Sequence, residues 1–245
     1  MELLTPEFSF WHLFIGEFIG TALLIIMGAG VVANVVLTKT KGQNSGWIVI
    51  TFGWAMAVFL GVYASTRFGG SGHLNPAVTI AMTVFADFPA EHIAPYLLAQ
   101  FSAAILGSFI VWIAYKQHFD ETTDKELKLA VFCTGPAIRN PLHNFLTEVI
   151  GTFILVFGAL AMSPASSSMG TLDALPVALL VLGIGLSLGG PTGYAINPAR
   201  DLGPRIAHFI LPIKGKRDSD WSYSWVPVLG PIAGALLAAG IFKLL

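Results

Sequence analysis

Gly72-His73-Leu74-Asn75-Pro76-Ala77-Val78-Thr79 is the stretch on which the fold turns, because its Asn-Pro-Ala triplet returns later as Asn197-Pro198-Ala199-Arg200-Asp201. Proline suits the first turn of a helix, where its fixed φ fits and its missing N–H has no partner to lose. Pro76 and Pro198 therefore read as helix starts, each with an asparagine at its mouth. The apolar stretches that follow, residues 76–85 and 198–210, are short. A helix of about ten residues covers ~15 Å, half the hydrocarbon thickness of a bilayer. Neither stretch can cross a membrane alone, but two such half-helices entering from opposite faces meet near the midplane.

The rest of the chain has the composition of a membrane protein. Of 245 residues, 55% are hydrophobic and 11% charged, and the mean hydropathy is +0.74. This points to a polytopic helical protein surrounded by lipid. No block of like charge is present, so nucleic acid is excluded as a partner. The single Cys133 has no partner for an intrachain disulfide and reads as an inert loop thiol. The sequence holds no nucleophile motif, no phosphate loop and no histidine spacing suited to a metal. An enzyme, a cofactor and a metal site are therefore not expected.

Six stretches are read as spans: residues 10–37, 47–65, 93–115, 145–162, 175–188 and 225–244. The fifth is short and glycine-rich. The first is too long for a signal-peptide core and reads as a retained span behind a lead containing Glu2 and Glu7. A polar connection, residues 116–144, divides the chain. The two sides repeat, with Glu17-Phe18-Ile19-Gly20-Thr21-Ala22-Leu23-Leu24 matching Glu148-Val149-Ile150-Gly151-Thr152-Phe153-Ile154-Leu155. Three spans per repeat is an odd number, so the second repeat is inverted relative to the first. Broken helices in inverted repeats are a recurrent transport architecture. The fold class expected is an all-α membrane protein with six transmembrane helices and two half-helices. Its inverted 3+3 repeats cover roughly residues 10–115 and 143–244, within one channel domain, 1–245.

Several residues have chemistry suited to a pore. Asn75 and Asn197 each offer amide N–H donors to a passing oxygen, and the positive ends of both half-helices point at the same spot. Unwound backbone at membrane depth must line a cavity or be buried in protein. Gly70, Ser71, Gly72 and His73, with Gly193, Tyr194 and Ala195, are thus candidate carbonyl acceptors. His73 reads either as a gate or as a brace for its loop. Arg200 is an intramembrane cation, costly unless it lines water or is paired. Adjacent side chains on a helix diverge by about 100°, which makes a direct pair with Asp201 awkward. Glu17 and Glu148 lie inside apolar spans. An isolated carboxylate there also fits a proton relay, so a proton-coupled small-solute transporter is the alternative function.

Two Asn-Pro-Ala triplets at matching points of an inverted duplication, with a glutamate on spans one and four, resemble the major intrinsic protein family of aquaporins and glycerol facilitators. The resemblance covers about residues 12–244. It implies an aquaporin-like right-handed bundle, passive conduction of small neutral solutes, homotetramers with one pore per subunit, and both termini in the cytoplasm. It further implies that Glu17 and Glu148 hold the loops by accepting N–H bonds. Asp201 directly after Asn-Pro-Ala-Arg is typical of the glycerol-conducting, aquaglyceroporin branch. By the family pattern a narrow ring precedes the second half-helix. Counting back from Arg200 places Tyr194 and Gly185 in it, where water-selective members tend to carry a small residue and a histidine. Tyr194 is then expected to pack the carbon skeleton of a polyol while Arg200 bonds its hydroxyls, in room left by Gly185. Aligned through Ala55-Met56-Ala57, the fourth ring position falls on Ile50, where glycerol channels usually carry an aromatic. The connection from Gly61 to Gly72 reads as about five residues longer than usual. Both departures imply a wider ring, passing glycerol and water and also dihydroxyacetone, hydrogen peroxide or protonated lactic acid.

On the orientation that the resemblance implies, nine basic residues face outside (Lys39, Lys41, Lys116, Lys125, Lys128, Arg139, Lys214, Lys216 and Arg217) and two inside, Arg67 and Lys243. That inverts the positive-inside expectation. Small residues such as Ala103, Ala104, Gly107, Gly234 and Ala235 suit close helix contacts.

Overall fold

A computed structural model describes residues 10–162 and 170–245. The lead with Glu2 and Glu7 lies outside the described residues. Ten α-helices are present among them: α1 (Phe10–Val36), α2 (Trp47–Arg67), α3 (Pro76–Phe85), α4 (Ile93–Ala114), α5 (Lys116–Glu121), α6 (Lys125–Ala130), α7 (Pro141–Ala161), α8 (Leu175–Leu188), α9 (Pro198–Ile210) and α10 (Val226–Leu244).

Five of them, with the short turns that lead into α4 and α10, are long and apolar enough to cross a membrane. The fifth expected span, α8, has 14 residues, about 21 Å at 1.5 Å per residue. Gly189-Gly190-Pro191 follows it, and Pro191 has no N–H to continue the ladder. The polar connection between the repeats is not irregular throughout, because α5 and α6 form within it. Asp124 caps α6, its carboxylate accepting from Glu126 N at 2.8 Å.

The packing repeats in both halves. α1 packs on α2 and α4, and α7 packs on α8 and α10. The half-helices cross over, α9 lying against α4 and α3 against α10, while α2 meets α8. Glycines let the first pair approach. A Cβ on Gly20 would stand 2.6 Å from the Gly61 carbonyl, and one on Gly61 would stand 2.8 Å from that of Gly20. The small residues singled out from the sequence do the same inside the chain. Ala103, Ala104 and Ala235 are fully buried, and a Cβ on Gly203 would lie 2.6 Å from that of Ala104. They pack helices of one chain together.

Several basic residues of the loops are tied into the fold. Lys39 pairs with Glu121, Lys116 with Asp120 and Arg139 with Asp220, and Arg217 reaches Glu126 at 2.6 Å. Lys128 donates to Lys214 O at 2.5 Å. Lys216 donates to the carbonyls of His208, Phe209 and Leu211 at 2.5, 2.8 and 2.7 Å, closing the C-terminal end of α9. These cations pin loops and a helix end.

Candidate functional site: a lumen between two half-helices

Each half-helix begins with its asparagine in extended backbone. Asn75 has φ −153° and ψ 115°, and its side-chain oxygen accepts from Ala77 N at 2.9 Å. Asn197 has φ −157° and ψ 110°, and its oxygen accepts from Ala199 N at 3.0 Å and Arg200 N at 3.2 Å. These are N-caps. Because each cap occupies Oδ1, the amide NH2 must face the other way. There the two loops cross: Asn75 Nδ2 donates to Ile196 O at 2.7 Å and Asn197 Nδ2 donates to Leu74 O at 2.8 Å. Each NH2 has two hydrogens, so one remains for the lumen.

The accepting carbonyls are aimed by strained backbone. Leu74 and Ile196 have φ of +52° and +44°, the left-handed region that residues other than glycine seldom adopt. Two buried carboxylates hold the strained turns. Glu17 accepts from His73 N at 2.9 Å, Leu74 N at 2.7 Å, Gln100 Nε2 at 2.8 Å and Ser65 Oγ at 3.0 Å. Glu148 accepts from Ala195 N at 3.0 Å, Ile196 N at 2.8 Å and Thr192 Oγ1 at 2.7 Å. Charge-assisted bonds of this kind are the strong ones. They meet the rule that non-helical backbone at this depth be satisfied.

A cavity of about 190 Å³ is lined by both asparagines, with His73, Met82, Tyr194 and Arg200. Val58, Val62, Val177 and Val181 make an apolar wall, and the loop residues Gly72 to Asn75 and Tyr194 to Asn197 provide polar backbone. Pro76 and Pro198 are buried behind it as the first residues of their helices. His73 lines this cavity, with Nδ1 3.2 Å from Thr79 Oγ1 and its ring against Phe88 and Tyr96 at 4.7 and 5.3 Å.

At the Arg200 end the ring differs from the expected one. Ile50 is buried in the core and does not line the cavity. Trp54, one turn further along α2, does, and the Arg200 guanidinium carbon lies over its indole at 4.1 Å. The connection from Gly61 is also not all loop, because α2 continues to Arg67. Trp54, Val58 and Val62 at four-residue spacing were the readable signal.

Gly185 does not line the cavity, and it leaves no empty space for a solute. A Cβ there would stand 2.9 Å from Tyr194 Cζ and 3.0 Å from its hydroxyl oxygen, so the phenol tip fills the notch. Gly193, Gly70 and Ser71 also stand back from the lumen. Gly193 has φ +83° and shapes the turn beside Thr134. Gly70 lies against Gly16 and Glu17 of α1. Ser71 N donates to the Tyr96 hydroxyl at 2.9 Å.

Asp201 turns from the lumen. It pairs with the fully buried Arg205 at 2.8 Å, and it accepts from Thr134 N and Thr134 Oγ1, both at 2.7 Å. Arg205 also donates to Ser219 O at 2.7 Å and Thr134 O at 3.0 Å. Asp201 and Arg205 stand four apart on a helix, a pairing the spacing alone would have suggested. Arg200, by contrast, makes one long side-chain bond among the described residues, to Phe132 O at 3.4 Å, and lines the cavity. Among the described residues no three His, Cys, Asp or Glu side chains gather as metal ligands.

The family model of the Major intrinsic protein matches residues 5–242. A probable glycerol uptake facilitator protein of Thermotoga maritima is 56% identical, over 94% of this chain and 97% of its own. Glycerol uptake facilitator protein 3 of Lactiplantibacillus plantarum is 52% identical, over 94% and 95%. The X-ray structure of the aquaglyceroporin from Plasmodium falciparum superposes with a TM-score of 0.85 at 30% identity, covering 96% of each chain. The architecture is accordingly the aquaporin-like one, with its broken helices in the second and fourth quarters of the chain. By sequence, by fold and by the crossed asparagines at its centre, the chain belongs to the major intrinsic protein family.

Proposed function

We propose that the chain is a passive channel for glycerol and other small uncharged solutes, with water, and that it excludes ions and protons. One observation carries this reading: Asn75 and Asn197 each bond the other half's loop, and both line one cavity together with Arg200. Two helix N-termini and a fixed cation make the middle of the lumen positive, which repels cations and hydronium. A neutral oxygen exchanges its water partners for the free amide N–H groups, so permeation needs no tight binding step. The valine wall accommodates the carbon skeleton. Trp54, Tyr194 and Arg200 form the narrow ring, with Gly185 behind it. Dihydroxyacetone, hydrogen peroxide and protonated lactic acid fit the same description of small size and no charge.

The whole described chain acts as one channel unit in the cell membrane, with both termini in the cytoplasm and four copies to an assembly. Family membership supports these three statements. Nothing in the mechanism requires an enzyme, a cofactor or a metal.

The test is stopped-flow light scattering on proteoliposomes. Glycerol entry is expected to rise linearly with concentration and to ignore an imposed proton gradient. Flux that follows the gradient overturns the reading.

A further inference from the structure

His73 lines the cavity two residues before Asn75, and its backbone is fixed by the N–H that Glu17 accepts at 2.9 Å. Its side chain is held less firmly. Among the described residues the imidazole has one hydrogen bond, the 3.2 Å contact of Nδ1 with Thr79 Oγ1. That hydroxyl is shared, because Gln100 Nε2 reaches it at 3.0 Å and it lies 3.2 Å from Asn75 O. The rest of the hold is aromatic. Phe88 meets the imidazole at 4.7 Å and Tyr96 meets it at 5.3 Å, and these two rings lie 5.0 Å from each other. Tyr96 is fully buried and tied to the loop, accepting from Ser71 N and donating to Ser71 Oγ, both at 2.9 Å. Phe88 has no such anchor. It is half-buried on the short connection 86–89 after α3, beside the exposed Asp87 at φ +57°. Its N–H donates to Met82 O at 3.2 Å, which folds the connection back along the half-helix and brings the ring to His73. Neither Phe88 nor Tyr96 lines the cavity.

We propose that Phe88 is a positioning residue for permeation: it clamps the His73 imidazole against the wall and so sets the free cross-section of the lumen beside Asn75. The proposal rests on the channel reading above. With the backbone of His73 fixed, rotation about χ1 is the motion left to its ring, and staggered wells lie about 120° apart. Phe88 and Tyr96 oppose that rotation together, by packing against the imidazole and against each other. Without Phe88 one side of the clamp is gone, and the shared Thr79 hydroxyl is left to hold the ring. In a cavity of about 190 Å³ an imidazole that leaves the wall takes space that a solute needs. A polyol loses more by this than water, which passes a smaller opening. Phe88 thus acts on the choice of solute without touching one, through a single side chain.

Phe88→Ala is made in the parent and in a His73→Ala background. The four proteins are reconstituted at equal density, and glycerol and water permeabilities are measured on the same vesicles. Phe88→Ala alone is expected to lower glycerol permeability about threefold or more, and water permeability less. On His73→Ala the same substitution is expected to change neither, because the ring it controls is absent. Phe88→Tyr, which keeps the aromatic contact, is expected to conduct as the parent does. Glycerol permeability unchanged or raised in Phe88→Ala, an equal loss in both backgrounds, or a Phe88→Tyr variant as poor as Phe88→Ala overturns the proposal and leaves the channel reading intact. A parent no more permeable to glycerol than empty vesicles overturns both.

Discussion

The guanidinium carbon of Arg200 lies 4.1 Å from the centroid of the Trp54 indole. A cation over an aromatic face is held by about 0.5–2 kcal/mol, more where water is excluded. The contact holds the Arg200 side chain without using its N–H donors, one of which goes to Phe132 O. Trp54 thus both lines the cavity and holds the Arg200 charge in place. Trp54→Ala is expected to widen the ring, raising the passage of larger polyols relative to water several-fold. Ile50→Ala, a turn away, is expected to leave that ratio unchanged. Swelling rates with glycerol, erythritol and ribitol discriminate the two positions.

Arg200→Val removes a fixed charge that lines the cavity. Proton or small-cation leak is expected to rise measurably, while the crossed bonds of Asn75 and Asn197 survive because neither involves Arg200. Decay of an imposed pH gradient, followed with a trapped fluorescent dye, gives the answer. A variant as tight as the parent would place the whole barrier at the two half-helix ends.

Glu148 accepts from two backbone N–H groups and the Thr192 hydroxyl. Glu148→Gln turns an amide into that cluster and leaves donors unpaired, at about 1–3 kcal/mol each. The expected outcome is a lower melting temperature in detergent and less folded protein, with flux that still ignores a pH gradient. Glu17→Gln should behave alike, since Glu17 supports the first loop in the same manner. A proton relay would show the reverse, with stability kept and gradient-driven flux lost.

Asp201 and Arg205 form a fully buried ion pair. Removing one partner of such a pair typically costs about 3–5 kcal/mol, because the other charge is left unpaired in the interior. Asp201→Ala is expected to lower thermal stability strongly. Pairing it with Arg205→Leu should restore part of the loss, since neither charge then remains alone. Melting of the four proteins in one detergent forms the cycle.

Gly185→Ala places a Cβ 2.9 Å from Tyr194 Cζ, closer than such atoms pack. The phenol or the Thr51 methyl, also 2.9 Å away, must then give way. Glycerol flux is expected to fall more than water flux, because the larger solute needs more of the opening. Equal loss of both would mean the helices had moved instead of the ring.

Much of this molecule was legible beforehand because a bilayer leaves few choices. Backbone groups in hydrocarbon must be paired within the chain, so apolar length marks the spans, and a stretch too short to cross, headed by Asn-Pro, reads as a half-helix. Glu17 and Glu148 stood out as charges inside apolar runs, and Arg200 as a cation beside the second triplet. Their local chemistry is written in one dimension.

Which side chains meet is decided by helix rotation and crossing. Trp54 instead of Ile50 faces Arg200 because of how α2 is rotated in the bundle, which composition does not mark. Asp201 meets Arg205 and Thr134, and the phenol of Tyr194 enters the notch at Gly185, because α9 and the loops around it are held against α4, α8 and the strap carrying Phe132 and Thr134. The residue string determined that two half-helices start with capping asparagines at membrane depth. Only the packed structure decided that each amide crosses to the other loop's carbonyl, since that bond joins Asn75 to Ile196 and Asn197 to Leu74 across more than a hundred residues of chain.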